Sequence, residues 1–218
     1  MSTVLSDDKP VFIIHNNFDN AVKVLFAGTA ITYCNSNPDT GWNNSCGMAA
    51  SCAENDYVHL TVNNLAKKYK YVNYAILDVT EWEKNCMAGV SLDKYNDARD
   101  FNADIIIMQI GENIVFDDFN EGVFKSAYIR FADFLNKSTN AKFILTSCFW
   151  RNTVDDCIKK IAEKRRYPFV YLGNYGDDGN QMAIGEFENS NVAMHPSDKG
   201  MNSIANDICA AMDRIVLE

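Results

Sequence analysis

Apolar runs alternate with amphipathic stretches along the chain. Val22, Val24, Leu25 and Phe26 lead into Gly28, where small and hydroxyl residues take over, so residues 21–28 predict a buried strand ending in a tight turn. Similar runs predict four more strands, at residues 71–79, 103–110, 141–148 and 168–172. Helical spacing fills the gaps. Residues 48–69 set Tyr57, Leu60, Asn64 and Leu65 against Lys67, Lys68 and Lys70, cations that suit a helix C-terminus. Residues 117–136 place Phe124, Ala127, Tyr128, Phe131, Phe134 and Leu135 on one inner side, and further helices are predicted at 93–100, 154–165 and 197–217. Residues 11–15 read as a short apolar strand or arm, and 33–46, rich in Asn, Ser and Pro, as a loop.

Strands alternating with helices of these lengths imply right-handed crossovers and a doubly wound parallel sheet of about five strands, covered on both faces. No repeat, low-complexity tract or linker interrupts the pattern, so residues 1–218 read as one domain, with residues 1–20 as an N-terminal arm. At 47% hydrophobic and 22% charged, the chain can fill a core of that size. A net charge of −9 argues against nucleic-acid or anionic-membrane partners, which call for a basic face, and favours neutral substrates such as uncharged esters. The first ten residues are polar, and no uncharged run approaches the roughly 20 residues that span a bilayer. Seven cysteines, an odd number without metal-ligand spacing, read as reduced thiols and favour a cytoplasmic setting; a removed signal peptide would leave secretion open.

Ligands of open α/β sheets bind outside the carboxyl ends of the strands, where backbone N–H groups converge. Three stretches fall at such places: Gly28-Thr29-Ala30-Ile31-Thr32, Gly111-Glu112-Asn113 and His195-Pro196-Ser197. Together they resemble the SGNH, or GDSL-like, hydrolases, esterases and lipases built on a flavodoxin-like three-layer α/β/α sandwich. In that family the first turn carries the nucleophilic serine, and here Ala30 stands in its place. A methyl group has no lone pair, so the chain as written should form no acyl-enzyme.

The resemblance implies roles for the other blocks. Gly47, at the expected start of the helix after the first strand, and Asn113 match the family's oxyanion donors, although Ile114 replaces the aspartate that usually follows. His195 matches the general acid/base; Pro196 holds it extended, and Ser197 suits an N-cap. The aspartate expected three residues earlier is Val192, which suggests a dyad whose imidazole N–H is held by a backbone carbonyl, with Glu186 and Glu188 as alternative carboxylates. Asp198 reads as a first-turn helix residue, and His15 and His59 as structural. Thr29, Trp42, Glu112 and Trp150 are candidate substrate contacts bordering the same sheet end, the two tryptophans as aromatic walls for a sugar ring or short acyl group. The hydroxyls of Thr29 and Thr32 are not expected to replace the missing serine.

The reading is a serine-esterase scaffold for short-chain acyl esters, including O-acetyl groups on carbohydrate, silenced at Ala30 by a deliberate Ser-to-Ala substitution or, alternatively, by natural loss. It needs no metal or organic cofactor. Two other readings compete: a non-catalytic module holding an acylated glycan or protein, and a flavodoxin-like domain whose Thr29 and Thr32 bind phosphate.

Overall fold

The computed structural model describes residues 10–116 and 119–215. They form a six-stranded sheet in the order β1-β3-β2-β4-β5-β6. β2 (Val22–Gly28), β3 (Val72–Asp78), β4 (Ile105–Gln109), β5 (Lys142–Thr146) and β6 (Phe169–Val170) are parallel and correspond to the five expected strands. β1 (Phe12–His15), the stretch read as strand or arm, pairs antiparallel with β3 at the edge. The first nine residues of the expected arm lie outside the described residues.

Successive strand side chains point to opposite faces, so strands apolar at every position need cover on both sides. Val24, Phe26, Tyr74, Ile76, Ile105 and Ile107 enter one core; Leu25, Ala27, Ala75, Leu77, Ile106 and Met108 enter the other. The helices are α1 (Tyr57–Leu65), α2 (Thr80–Asn85), α3 (Asn96–Asp100), α4 (Glu121–Leu135), α5 (Val154–Arg165), α6 (Gly173–Gly176), α7 (Ser190–Ala193) and α8 (Asp198–Met212). α1 and α8 pack on the first face, α2 to α5 on the second. The result is the three-layer α/β/α sandwich that the resemblance implied. Among the described residues no helix is long and apolar enough to cross a membrane.

Several helix boundaries differ from expectation, each for a local reason. The helix expected over 48–69 is ordered as α1 only from Tyr57, because the Asp56 carboxylate accepts from the His59 N–H and caps it there. Before it, Ala49 adopts a positive φ of 71° that no helix contains. α4 starts at Glu121, capped by Asn120; the expected start at Asp117 lies outside the described residues, as do Val216 and Leu217 of the closing helix. α2 was not anticipated. Six residues are too few to sustain a helix in isolation, and α2 is held by Trp82, buried and stacked on Phe131 with ring centroids 4.9 Å apart. Burying such a ring contributes roughly 2–3 kcal/mol, more than propensity could over so short a segment.

Sheet order also locates the site. The connection leaving β2 crosses to the first face through α1, whereas the one leaving β4 crosses to the second through α4. The topological switch point therefore falls between the carboxyl ends of these neighbouring strands, where Gly28 pairs with Gln109, the place where sheets of this kind bind ligands.

Candidate active site

The turn after β2 is closed by two hydrogen bonds, from the Thr32 and Tyr33 N–H groups to the Thr29 carbonyl at 2.8 and 2.9 Å. A Cβ on Gly28 would come within 1.9 Å of Thr32 Oγ1, so only glycine lets the chain turn this tightly. Thr32 Oγ1 is hydrogen-bonded to the Tyr57 hydroxyl at 2.8 Å, and Thr29 is buried. The Thr32 hydroxyl is thus engaged within the fold. Thr29, expected as a substrate contact, is 2% exposed and leaves little surface for a ligand. Ala30 sits at the turn's partly exposed tip; its carbonyl accepts from the Met48 N–H at 2.8 Å, and its own N–H has no partner among the described residues.

The two expected oxyanion donors are both in contact with buried carboxylates that sequence reasoning missed. The Gly47 N–H donates to Asp56 Oδ2 at 3.2 Å, and Asp56 is fully buried. A buried carboxylate requires donors. Asp56 takes three, since Oδ1 accepts from the His59 N–H and faces His59 Nδ1, each at 2.8 Å. Gly47 is thereby corrected from a free donor to an anchor of its loop. Its glycine character stems from close approach, a Cβ there lying 2.6 Å from the Ile31 carbonyl oxygen.

Asn113 is held by Glu83, which is 1% exposed. Glu83 Oε1 accepts from the Gly111 N–H at 2.6 Å, and Oε2 from both the Asn113 N–H at 2.7 Å and Asn113 Nδ2 at 2.9 Å. Burial pushes the Glu83 carboxyl above its usual range, against the pull of these three bonds. An amide nitrogen carries two hydrogens, so one N–H of Asn113 remains for a ligand. Gly111, with φ of 141°, gives the loop a backbone few other residues adopt.

His195 precedes α8. Its Nδ1 lies 2.7 Å from the Asn191 carbonyl oxygen. A carbonyl only accepts, so Nδ1 carries the proton and Nε2 keeps its lone pair. Asn191, rather than Glu186 or Glu188, thus orients the ring. Val192 at the family's aspartate position is buried. Burial also holds the imidazole below its usual pKa, opposed by backbone hydrogen bonds. The indole of Trp150 meets His195 edge-on, ring centroids 4.9 Å apart.

These pieces are tied to one another. Asp198, one turn beyond His195, accepts from Ser51 N–H at 2.8 Å, Ser51 Oγ at 2.6 Å and Asn55 Nδ2 at 2.9 Å, binding α8 to the segment that holds Ala30 through Met48. Ser197 occupies the cap position, but its hydroxyl donates to the Gln181 carbonyl at 3.2 Å instead of capping the helix. Glu112 accepts from the Phe149 N–H and from Gln109 Nε2 at 2.9 Å, linking the loop of Asn113 to that of Trp150. Burial, with the nearby Glu83 and Asp155 charges, pushes its carboxyl up to about 8 despite those bonds. Trp42 is the remaining correction: it is fully buried, its ring against Phe187 and its Nε1–H donating to the Cys34 carbonyl at 3.2 Å, so it forms no open wall.

No family model matches the sequence, and no curated protein is similar to it. Solved structures are. A two-domain esterase (CEX) active on acetylated mannans superposes with a TM-score of 0.60 at 19% identity, covering 91% of this chain and 50% of that one. The fold is that of the SGNH hydrolases. A family two carbohydrate esterase from Clostridium thermocellum, in complex with cellohexaose, gives a TM-score of 0.58 at 15% identity over 88% of this chain and 63% of its own. A putative lipolytic protein of the G-D-S-L family from Desulfitobacterium hafniense DCB-2 gives 0.52 at 13%, over 87% and 99%. This SGNH-fold chain spans about half the length of the two-domain mannan esterase.

Proposed function

We propose that the chain is an SGNH-type serine-esterase scaffold for short acyl esters of carbohydrate, silenced at Ala30. The observation that carries this reading is His195, its proton fixed on Nδ1 by the Asn191 carbonyl and its Nε2 lone pair left available, just ahead of the Asp198 that binds Ser51 in the segment holding the Ala30 turn. With serine at position 30, Nε2 would take the hydroxyl proton as the oxygen attacks the ester carbonyl, then return it to the leaving alcohol. The residue-30 N–H and the remaining Asn113 N–H are the donors for the oxyanion. Carbohydrate is favoured by the neighbours, which include an esterase active on acetylated mannans and one bound to cellohexaose.

Ala30→Ser should create hydrolysis of 4-nitrophenyl acetate, and His195→Ala in that background should abolish most of it; loss of a nucleophile typically costs about 10⁶-fold in kcat. Inactivity of Ala30→Ser on acetyl and longer acyl esters would sink the esterase reading. The Ala30 methyl itself favours a second reading, a module that holds an acylated glycan without cleaving it, and that outcome would support it.

A further inference from the structure

Beside Ala30 lies a cavity of about 400 Å³ whose lining includes Tyr33, Cys34, Asn35, Asp78 and Thr80. It is separate from the Trp150 side of His195. β3 brings Asp78 there by register, since Asp78 pairs with Gly28 across the β2–β3 ladder, two residues before Ala30. Its carboxylate is oriented from one side only. Oδ1 accepts from the Thr80 N–H at 2.8 Å and from Thr80 Oγ1 at 2.6 Å, while Oδ2 has no partner among the described residues.

A second part of the lining is built in advance. Residues 34–46 form a short hairpin with bridges between Cys34 and Cys46 and between Asn37 and Trp42, and the buried Trp42 ring ties it down through Cys34. Asn35 belongs to this part, its Oδ1 already taken by the Tyr33 hydroxyl at 3.0 Å and its amide nitrogen free to donate. A carboxylate with a spare acceptor and an amide with spare donors thus line one cavity, and no lysine, arginine or histidine is among the lining residues. An anion would be repelled there, and an acyl chain would strand these polar groups without partners. A ring bearing hydroxyls, each both donor and acceptor, matches both groups.

We propose that this cavity is the subsite for the neutral sugar ring that bears the ester, with a ring hydroxyl donating to Asp78 Oδ2. The proposal rests on the esterase reading for the position of the ester carbon at residue 30. Asp78→Asn tests it, because asparagine keeps an oxygen for Thr80 and changes the acceptor from charged to neutral, weakening a charge-assisted hydrogen bond by about tenfold in binding. In the Ala30→Ser background, this change should lower kcat/KM on O-acetylated manno-oligosaccharides about tenfold more than on 4-nitrophenyl acetate, which carries no sugar. Calorimetric titration of the Ala30 chain with the same oligosaccharides should give saturable binding, weakened about tenfold by Asp78→Asn at unchanged melting temperature.

Equal losses on both esters, or saccharide binding indifferent to Asp78, overturn the subsite. The two readings separate cleanly. If Ala30→Ser cleaves 4-nitrophenyl acetate while the Ala30 chain binds no saccharide, the esterase stands and the subsite falls. With Asp78-dependent saccharide binding and no esterase activity, the subsite stands and the esterase falls; absence of both would remove both.

Discussion

On the esterase reading, a backbone carbonyl in place of a carboxylate determines how His195 would work. The Asn191 oxygen selects the Nδ1 tautomer as an aspartate would, but brings no full negative charge to steady an imidazolium, and burial depresses the pKa further. The pH profile of kcat/KM for Ala30→Ser should therefore turn down on the acid side at a pH below the ordinary imidazole value of about 6.5. The same depression acts on folding. As pH falls past that value the unfolded chain takes up this proton first, so His195 withdraws stability in mild acid. Asn113 poses a different test. If Asn113 is the oxyanion donor the esterase reading makes it, Asn113→Ala in the Ala30→Ser background should lower kcat by about 10²–10³ with KM little changed, the usual cost of one such donor. Glu83→Ala should instead unfold more easily, by roughly 2–4 kcal/mol in urea titration, because three N–H groups lose their acceptor in a dry site.

At the level of elements, the loops at the carboxyl ends of the strands are linked by side chains, and Glu112 joins two of them. Its carboxyl rises from 4.5 to about 8 on folding. Between those values the folded chain keeps a proton that the unfolded chain has released, so this contribution is complete below about 4.5 and is lost as pH climbs through 8. Melting temperature should fall between pH 6 and pH 9, and Glu112→Gln, which keeps an acceptor for the Phe149 N–H, should flatten that fall. Elements of this kind differ in how plainly the chain announces them. β2 to β5 are apolar at nearly every position and α4 and α5 keep helical spacing over twelve or more residues, so period alone reveals them. α6 and α7 have four residues each, too few to express a period, and α2 depends on where Trp82 lands rather than on its own sequence.

For the molecule as a whole, the doubly wound parallel sheet was legible because strands and helices alternate and parallel connections follow few routes, and the Ala30 and His195 blocks stood out because short motifs mark them. What the motifs could not convey is partnership across long separations. Glu83 meets Asn113 across thirty residues and Asp198 meets Ser51 across 147, so neither pair leaves a local signal. Asp56 did carry a local signal, an aspartate directly ahead of an amphipathic run, which the expected helix from residue 48 passed over. Trp42 shows the reverse case, in which a loop position suggested exposure and the hairpin folded over it.

Those acidic anchors share one further property. Asp56, Asp78, Asp155 and Asp198 gather around one end of the sheet, and among the described residues none is paired with lysine or arginine. On the esterase reading, an acetyl ester would arrive there uncharged, whereas the acetate released from it would be an anion in an acidic field. The architecture that braces the loops would thus also drive product out, making acetate a feeble inhibitor of Ala30→Ser and more feeble still at low ionic strength.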